Sequence, residues 1–310
     1  MSTHAVVALI VTYNRKKLLN ECLSSLLEQS APLKKIVIID NNSLDGTNEL
    51  FESGKFSNFE TVIYKRLAAN IGGAGGFHEG LKFINENFDC EWVWIMDDDT
   101  IPAKNALAEL LNGSNILKNE KVSYIASSIF GPQNEPMNVP TISLNKAPNG
   151  YSFWYQYLKE GMISIRQATF VSLLISKRAI DAVGYPLKSY FIWGDDTEYT
   201  LRLVENYGPA FFNGKSIVLH KRKNCKALSI RKEENENRVK MYKYFYRNKL
   251  NNYSLYYPKS AFLWEYLKCL VLGFYLLFDF KTSFRIKKSC AVQKAWWSFN
   301  WLKFTHKRLQ

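Results

Sequence analysis

The sequence predicts an α/β protein: a mixed, mainly parallel sheet sandwiched by helices, followed by a helical basic-aromatic C-terminal segment. Three observations predict it. Short β-branched runs alternate with helical stripes through the first hundred residues, polar residues gather where those runs end, and the composition changes beyond Pro258. Strand–helix alternation sets strands side by side in parallel, with the crossover helices on both faces.

Ala5–Val11 is apolar on both faces, as a buried parallel strand is. Arg15–Gln29 carries Leu18, Leu19, Cys22, Leu23, Leu26 and Leu27 on one helical stripe. Lys35–Asp40 reads as a second buried strand, Ser43–Phe51 as the start of a helix and Thr61–Lys65 as a third strand. Gly76–Asn87 is expected to be helical, Trp92–Met96 is a fourth strand ending in acids, and Ile101-Pro102 is expected to begin a helix. Gly131–Tyr151, rich in Pro and Asn, reads as a loop. Strand and helix character returns over Ile163–Val183, Thr197–Leu203 looks helical, and Ser216–His220 is a late strand. The expected division is an α/β domain over 1–257 and a helical segment over 258–310.

Hydrophobic residues make up 47% of the 310 residues and aromatic ones 15%, which excludes a disordered chain. The net charge of +13 is unevenly placed: Met1–Gly214 holds 19 Lys+Arg against 23 Asp+Glu, and Lys215–Gln310 holds 22 against 5. A tail of that sign calls for an anionic partner, a lipid surface or a nucleic acid. No nucleic-acid module pattern appears, and an acidic crevice repels such a partner. Five scattered cysteines (Cys22, Cys90, Cys225, Cys269, Cys290) fit a reducing compartment better than a disulfide framework. The N-terminus lacks the basic-then-apolar order of a signal peptide, so the chemistry is expected to face the cytoplasm.

In a parallel sheet, ligands bind beyond the carboxyl ends of the strands. Four strand ends carry polar residues: Thr12-Tyr13-Asn14, Asp40-Asn41-Asn42, Asn70 and Asp97-Asp98-Asp99. Three adjacent carboxylates suit Mg²⁺ or Mn²⁺, with Asp97 and Asp99 able to turn toward one ion. The alternative is a solvated acidic turn or helix cap. His220, ending the late strand, is either a structural histidine or a ligand completing a site that prefers Mn²⁺. Trp193-Gly-Asp-Asp-Thr-Glu198 is a second acidic cluster. One of its carboxylates could take a proton from a hydroxyl nucleophile, while a helix N-cap is the plainer reading. Asn70-Ile-Gly-Gly-Ala-Gly-Gly-Phe77 reads as a diphosphate-facing glycine loop or a tight turn, and fits neither the P-loop nor the dinucleotide fingerprint. Asp40 either accepts from a nucleoside or opens an Asx turn.

Together VTYNR, IVIIDNNSxDGT, NIGGAGGF, WIMDDDT, FIWGDDTEYTLR, His220 and YFYRN (Tyr244–Asn248) resemble the family-2 glycosyltransferases of the GT-A fold, from about Val6 to Asn248. The branch most similar is that of bacterial galactofuranosyltransferases, with rhamnosyltransferases as neighbours. The resemblance implies a UDP- or dTDP-linked sugar donor and a glycan or lipid-linked acceptor. Thr12, Asn14, Asp40 and Asn42 would hold the nucleoside, and Asn70, Gly72 and Gly73 the diphosphate and sugar. Asp97, Asp99 and His220 would hold the divalent cation, with Asp98 facing the nucleotide or donor sugar. Asp196 would be the general base of an inverting displacement, with Asp195 and Trp193 shaping its pocket. Lys-Arg-Lys-Asn after His220 departs from relatives that place an aromatic residue there, which leaves the acceptor open. A non-catalytic sugar-nucleotide binder and a nucleotidyltransferase are the rival readings.

Phe262–Phe278 is apolar but carries Glu265 and Lys268, and its 17 residues lie at the short limit of a span. Trp296, Trp297, Trp301 and Phe304 follow among Lys281, Arg285, Lys287, Lys288, Lys294, Lys303, Lys307 and Arg308. Such a segment suits a helix lying in the headgroups of an anionic leaflet, here peripherally on the inner face of the cell membrane. A cap on the catalytic domain, or a docking face for a second copy, is the alternative.

Overall fold

The computed structural model describes residues 5–222 and 228–306, with side chains up to residue 299. Lys223, Asn224 and Cys225, residues Lys307 and Arg308, and the side chains of Trp301, Lys303 and Phe304 lie outside it. Among the described residues Cys22, Cys90, Cys269 and Cys290 are free thiols. The chain divides into two compact units: Met1–Lys188 with Tyr199–Cys225, and Ser189–Glu198 with Lys226–Gln310. This division follows packing, whereas the one at 257/258 followed composition.

The first unit holds strands β1 (Val6–Thr12), β2 (Lys35–Asp40), β3 (Val62–Arg66), β4 (Trp92–Asp97), β5 (Thr100–Pro102), β6 (Tyr124–Phe130), β7 (Thr141–Ile142), β8 (Met162–Gln167), β9 (Leu173–Ser176) and β10 (Ala210–His220). Its helices are α1 (Lys16–Leu27), α2 (Glu49–Glu52), α3 (Gly72–Asn87), α4 (Ala106–Ile116) and α5 (Lys177–Val183). Helix α6 (Asp195–Asn206) crosses the division. The strands form one sheet in the order β3-β2-β1-β4-β9-β6-β10-β8-β7, with β5 pairing β10. Strands β1 to β4 are parallel, as the alternation predicts. Strand β9 runs antiparallel between β4 and β6, and β8 antiparallel to β10, so the sheet is mixed.

Strand β1 explains why its sequence does not alternate. Val7, Leu9 and Val11 pack with Phe77, Leu81 and Ile84 of α3 on one face. Val6, Ala8 and Ile10 pack with Leu19, Leu23 and Leu26 of α1 on the other. Both faces are covered, and each fully buried aliphatic side chain contributes about 1.5–3 kcal/mol.

Three expectations need correction. Helix α2 covers only Glu49–Glu52, because Asp40 and Asp45 capture the N–H groups of Ser43 and Thr47 and hold the segment in turns. Ile101-Pro102 begins no helix: it lies in β5, paired antiparallel with Leu219 and Val218, and α4 starts only at Ala106. Helix α3 begins at Gly72, so most of the glycine run is helix rather than loop.

The second unit is helical. Helix α7 (Glu236–Tyr256) is capped by Asn235, whose side chain accepts from the N–H groups of Asn237 and Arg238. Helices α8 (Lys259–Phe278) and α9 (Arg285–His306) enclose with it a core of Tyr242, Leu250, Cys269, Leu276, Val292 and Phe299. Ser289 Oγ donates to the Gly273 carbonyl at 2.5 Å, tying α9 to α8. By length and composition α8 could cross a membrane, at a mean hydropathy of 1.6. Its outward face exposes Leu263, Trp264, Leu267, Val271 and Phe274.

Candidate active site

Strand pairing assembles an acidic site at the end of β4. In the β5–β10 ladder His220 lies opposite Thr100, and the Lys221 N–H donates to the Asp99 carbonyl at 2.8 Å. One side-chain ligand atom from each of Asp97, Asp99 and His220 lies within 4.8 Å of the others.

The protons at this site argue for a cation. Asp99 Oδ1 is buried, accepts no hydrogen bond, and stands 3.2 Å from His220 Nε2. His220 Nδ1 meets Asn138 Oδ1 at 2.9 Å. An amide oxygen only accepts, so Nδ1 carries a proton, and in the neutral ring Nε2 presents a lone pair. In that form a carboxylate and an imidazole lone pair face one another. A divalent cation satisfies both, so the residues fit such an ion.

Asp98 is turned inward instead. Its oxygens accept from Thr12 Oγ1 at 2.7 Å and Arg15 Nη1 at 3.0 Å. The same guanidinium nitrogen reaches Asp99 Oδ2 at 2.8 Å. Burial pushes the Asp98 carboxyl up to about 6, against the pull of Arg15. Thr12 and Asp98 are thus bonded to each other beside Arg15.

The loops after β1 and β2 are zipped together. Asn14 Oδ1 accepts from the Leu44 N–H at 2.7 Å, and the Asn14 N–H donates to Ser43 Oγ at 2.8 Å. Asn14 and Asn42 both adopt left-handed backbone, which asparagine tolerates best among residues with side chains. Asp40 is fully buried and accepts from the Ser43 N–H, Ser43 Oγ and Tyr64 Oη. Its turn-forming role is thus present in the geometry, and its carboxylate is engaged inside the protein.

The glycines divide by what a Cβ would meet. At Gly76 and Gly80 it would lie 2.4 Å from Val11 and Leu9 side-chain carbons, so these two permit α3 to approach β1. At Gly73 it would meet nothing within 4 Å. Gly72 has a φ of 78°, and its N–H donates to Asn70 Oδ1 at 2.8 Å. Asn70 therefore shapes the start of α3, while Gly73 leaves open space at its first turn.

In the second unit, Trp193, Gly194, Asp195 and Asp196 stand at the start of α6. Asn248 of α7 holds the segment before them, its Nδ2 donating to the carbonyls of Tyr190, Ile192 and Trp193 at 2.9, 3.2 and 2.8 Å. One turn later, Asn252 Nδ2 donates to the Gly194 carbonyl at 2.9 Å, while its Oδ1 accepts from Tyr190 Oη at 2.7 Å. Phe191 and Trp193 are held in left-handed backbone, each at φ 62°. Asp195 is buried, and burial together with the neighbouring Asp196 raises its pKa. Asp196 is partly exposed, is raised chiefly by burial, and accepts from the Thr197 N–H at 2.7 Å. Asp196 thus lies within the first turn of α6, its carboxylate bonded to the next N–H rather than capping the helix.

Residue reasoning missed three contributors: Arg15, Asn138 and the Asn248–Asn252 pair. Arg15 ends VTYNR and Asn248 ends YFYRN, motifs whose pattern assigns neither of them a role. Asn138 had no signal, lying in a Pro/Asn-rich loop.

The family model for glycosyl transferase family 2 matches residues 7–171. The chain belongs to glycosyl transferase family 2. A galactofuranosyltransferase of Mycolicibacterium smegmatis is 27% identical over 213 residues, covering 66% of this chain and 67% of that protein. The chain thus spans about two thirds of that relative's length. Among solved structures, a mannosyltransferase from Pyrobaculum calidifontis in complex with GDP-Man and Mn²⁺ has a TM-score of 0.54 at 15% identity, covering 98% of this chain and 89% of that one. GalNAc-T7 with UDP, GalNAc and Mn²⁺ has a TM-score of 0.57 at 17% identity, covering 81% and 50%. The mixed sheet is therefore that of a GT-A glycosyltransferase, and the family-2 enzyme has its acidic cluster at the end of β4.

Proposed function

We propose that this family-2 enzyme is an inverting, metal-dependent transferase in bacterial surface polysaccharide synthesis. It moves a sugar, with galactofuranose from UDP-galactofuranose as the first candidate, onto a lipid-linked or oligosaccharide acceptor. The gathering of Asp97, Asp99 and His220, with Asp99 Oδ1 buried and without a hydrogen bond 3.2 Å from His220 Nε2, carries the metal reading. The likeness to a galactofuranosyltransferase supports the donor. Peripheral attachment to the cytoplasmic face of the membrane is supported by the exposed apolar face of α8 and the basic tail.

Asp97, Asp99 and His220 would hold Mn²⁺ or Mg²⁺, which when bound supplies positive charge to a leaving diphosphate. Asp196 takes the acceptor hydroxyl proton as that oxygen bonds to the anomeric carbon; the anomeric carbon–phosphate oxygen bond breaks, and its electron pair leaves with the nucleoside diphosphate. Burial raises the pKa of Asp196, which brings its basicity closer to that of a neutral-pH proton acceptor.

A panel of UDP- and dTDP-sugars, incubated with Mn²⁺ or with EDTA and scored for nucleoside diphosphate release, tests the proposal. Release from UDP-galactofuranose that EDTA abolishes is expected, with the product anomer inverted by NMR. Release that EDTA leaves intact overturns the metal reading, and preference for dTDP-rhamnose overturns the donor. A chain that withstands both carbonate and high-salt extraction overturns peripheral attachment.

A further inference from the structure

Within the second unit, α7 and α9 flank an open groove of about 530 Å³ lined by Lys243, Tyr244, Arg247, Lys294, Trp297 and Ser298. Three of those six side chains are cationic and none is acidic. Five cations elsewhere in this unit find carboxylates: Arg231 meets Asp279, Arg238 meets Glu233, Lys249 and Lys268 meet Glu265, and Lys287 meets Glu236. Among the described residues Lys243, Arg247 and Lys294 meet none. Converging positive charge without a counter-charge is unfavourable until an anion enters, and a guanidinium with two ammonium groups matches phosphate oxygens.

The groove has an aromatic side as well. Trp297 is 69% exposed. The Tyr244 ring stacks on Phe191 with centroids 4.8 Å apart, and Lys243 Nζ and the Arg247 guanidinium carbon lie 4.6 and 5.1 Å from its centre. Arg247 also donates to the Ser189 carbonyl. The groove therefore adjoins the 189–196 segment that carries Asp195 and Asp196. An exposed indole beside cations suits an amphiphile, whose apolar stem covers the ring while its phosphate meets the charges.

We propose that this groove binds the phosphate or diphosphate group of an amphiphilic ligand, with Lys243, Arg247 and Lys294 on the phosphate oxygens and Trp297 against the apolar stem. Its use as an anchor for a lipid-linked acceptor rests on the transferase reading; the binding itself does not.

Calorimetry on the full chain uses farnesyl phosphate, farnesol, inorganic phosphate and phosphatidylglycerol vesicles as probes. Farnesyl phosphate should bind the wild type, and lose about tenfold in affinity in the Lys243→Ala/Lys294→Ala double variant, or about 1.4 kcal/mol. The Lys243→Arg/Lys294→Arg variant should retain binding. Farnesyl phosphate affinity unchanged in the alanine variant overturns the site. Inorganic phosphate binding as tightly as farnesyl phosphate overturns the amphiphile. Loss of vesicle binding alone assigns the charges to membrane headgroups and overturns the ligand site. Nucleoside diphosphate release by donor hydrolysis should be unchanged in both variants, which separates failure of this site from failure of the transferase reading and shows that each variant folds.

Discussion

His220 Nε2 stands 3.2 Å from Asp99 Oδ1, the two atoms held face to face by strand pairing on one side and by Asn138 on the other. Removing the ring should remove the ion. His220→Ala is expected to abolish measurable Mn²⁺ binding by calorimetry. Asn138→Ala, which frees the ring to change tautomer, should weaken it about 10–100-fold. Equal Mn²⁺ affinity in Asn138→Ala and wild type would refute the tautomer argument.

At the two carboxylates that start α6, stability and transfer make opposite demands on pH. Burial, and for Asp195 the neighbouring Asp196 charge, raise both pKa values in the folded protein. The folded state therefore favours the protonated forms. Their contribution to stability is full below the ordinary carboxylate range and declines as pH rises through the raised values. Transfer, which needs Asp196 ionised, should rise over the same window. Asp195→Asn is expected to raise the melting temperature at pH 8 relative to wild type, and to flatten the fall in stability between pH 5 and pH 8. A variant that melts lower at pH 8 would contradict this sign.

Asn248 serves three carbonyls with one amide group. Asn248→Ala leaves them without that donor, at a cost of about 1–3 kcal/mol for buried unpaired groups. The kinetic expectation separates positioning from plain destabilisation. At a temperature where the variant is fully folded, kcat should fall at least tenfold while the KM for donor changes little. Unchanged kcat in folded Asn248→Ala would mean that the 190–194 segment needs no such hold.

The glycines of α3 make opposite predictions within one helix. Gly80→Ala forces a methyl group against Leu9 and should destabilise by about 1–3 kcal/mol, read by denaturant unfolding. Gly73→Ala meets open space and should leave stability equal or higher by up to about 1 kcal/mol. Its expected effect is a raised donor KM, because the methyl group occupies room that the proposed diphosphate needs.

The parallel half of the sheet was legible because β1 and β2 are apolar on both faces and α1 keeps a clear stripe; each local pattern agrees with its burial. Less legible were elements decided by distant partners. Nothing local in Thr100-Ile-Pro102 announces a strand, since its partner β10 lies a hundred residues on. The start of α3 was hidden because glycine is a poor helix former, and close approach to Leu9 and Val11 outweighs propensity there. At the site, Asp97 and Asp99 were legible as ligands from the acidic end of β4, whereas His220 joined them through the family resemblance, since its strand end alone left a structural role open. The inward turn of Asp98 did not, because it depends on Thr12 and Arg15 side chains whose directions no spacing reveals.

Phe191 and Trp193 sit in backbone that glycine would adopt freely, each at a penalty of about 1–2 kcal/mol. Selection for heat resistance alone would be drawn to these two positions first, since glycine there relaxes the chain. Such a variant would discard the ring that stacks on Tyr244 and the indole that packs on Tyr242. Attempts to harden this enzyme are thus steered toward dulling it at the very stretch that leads into Asp195 and Asp196.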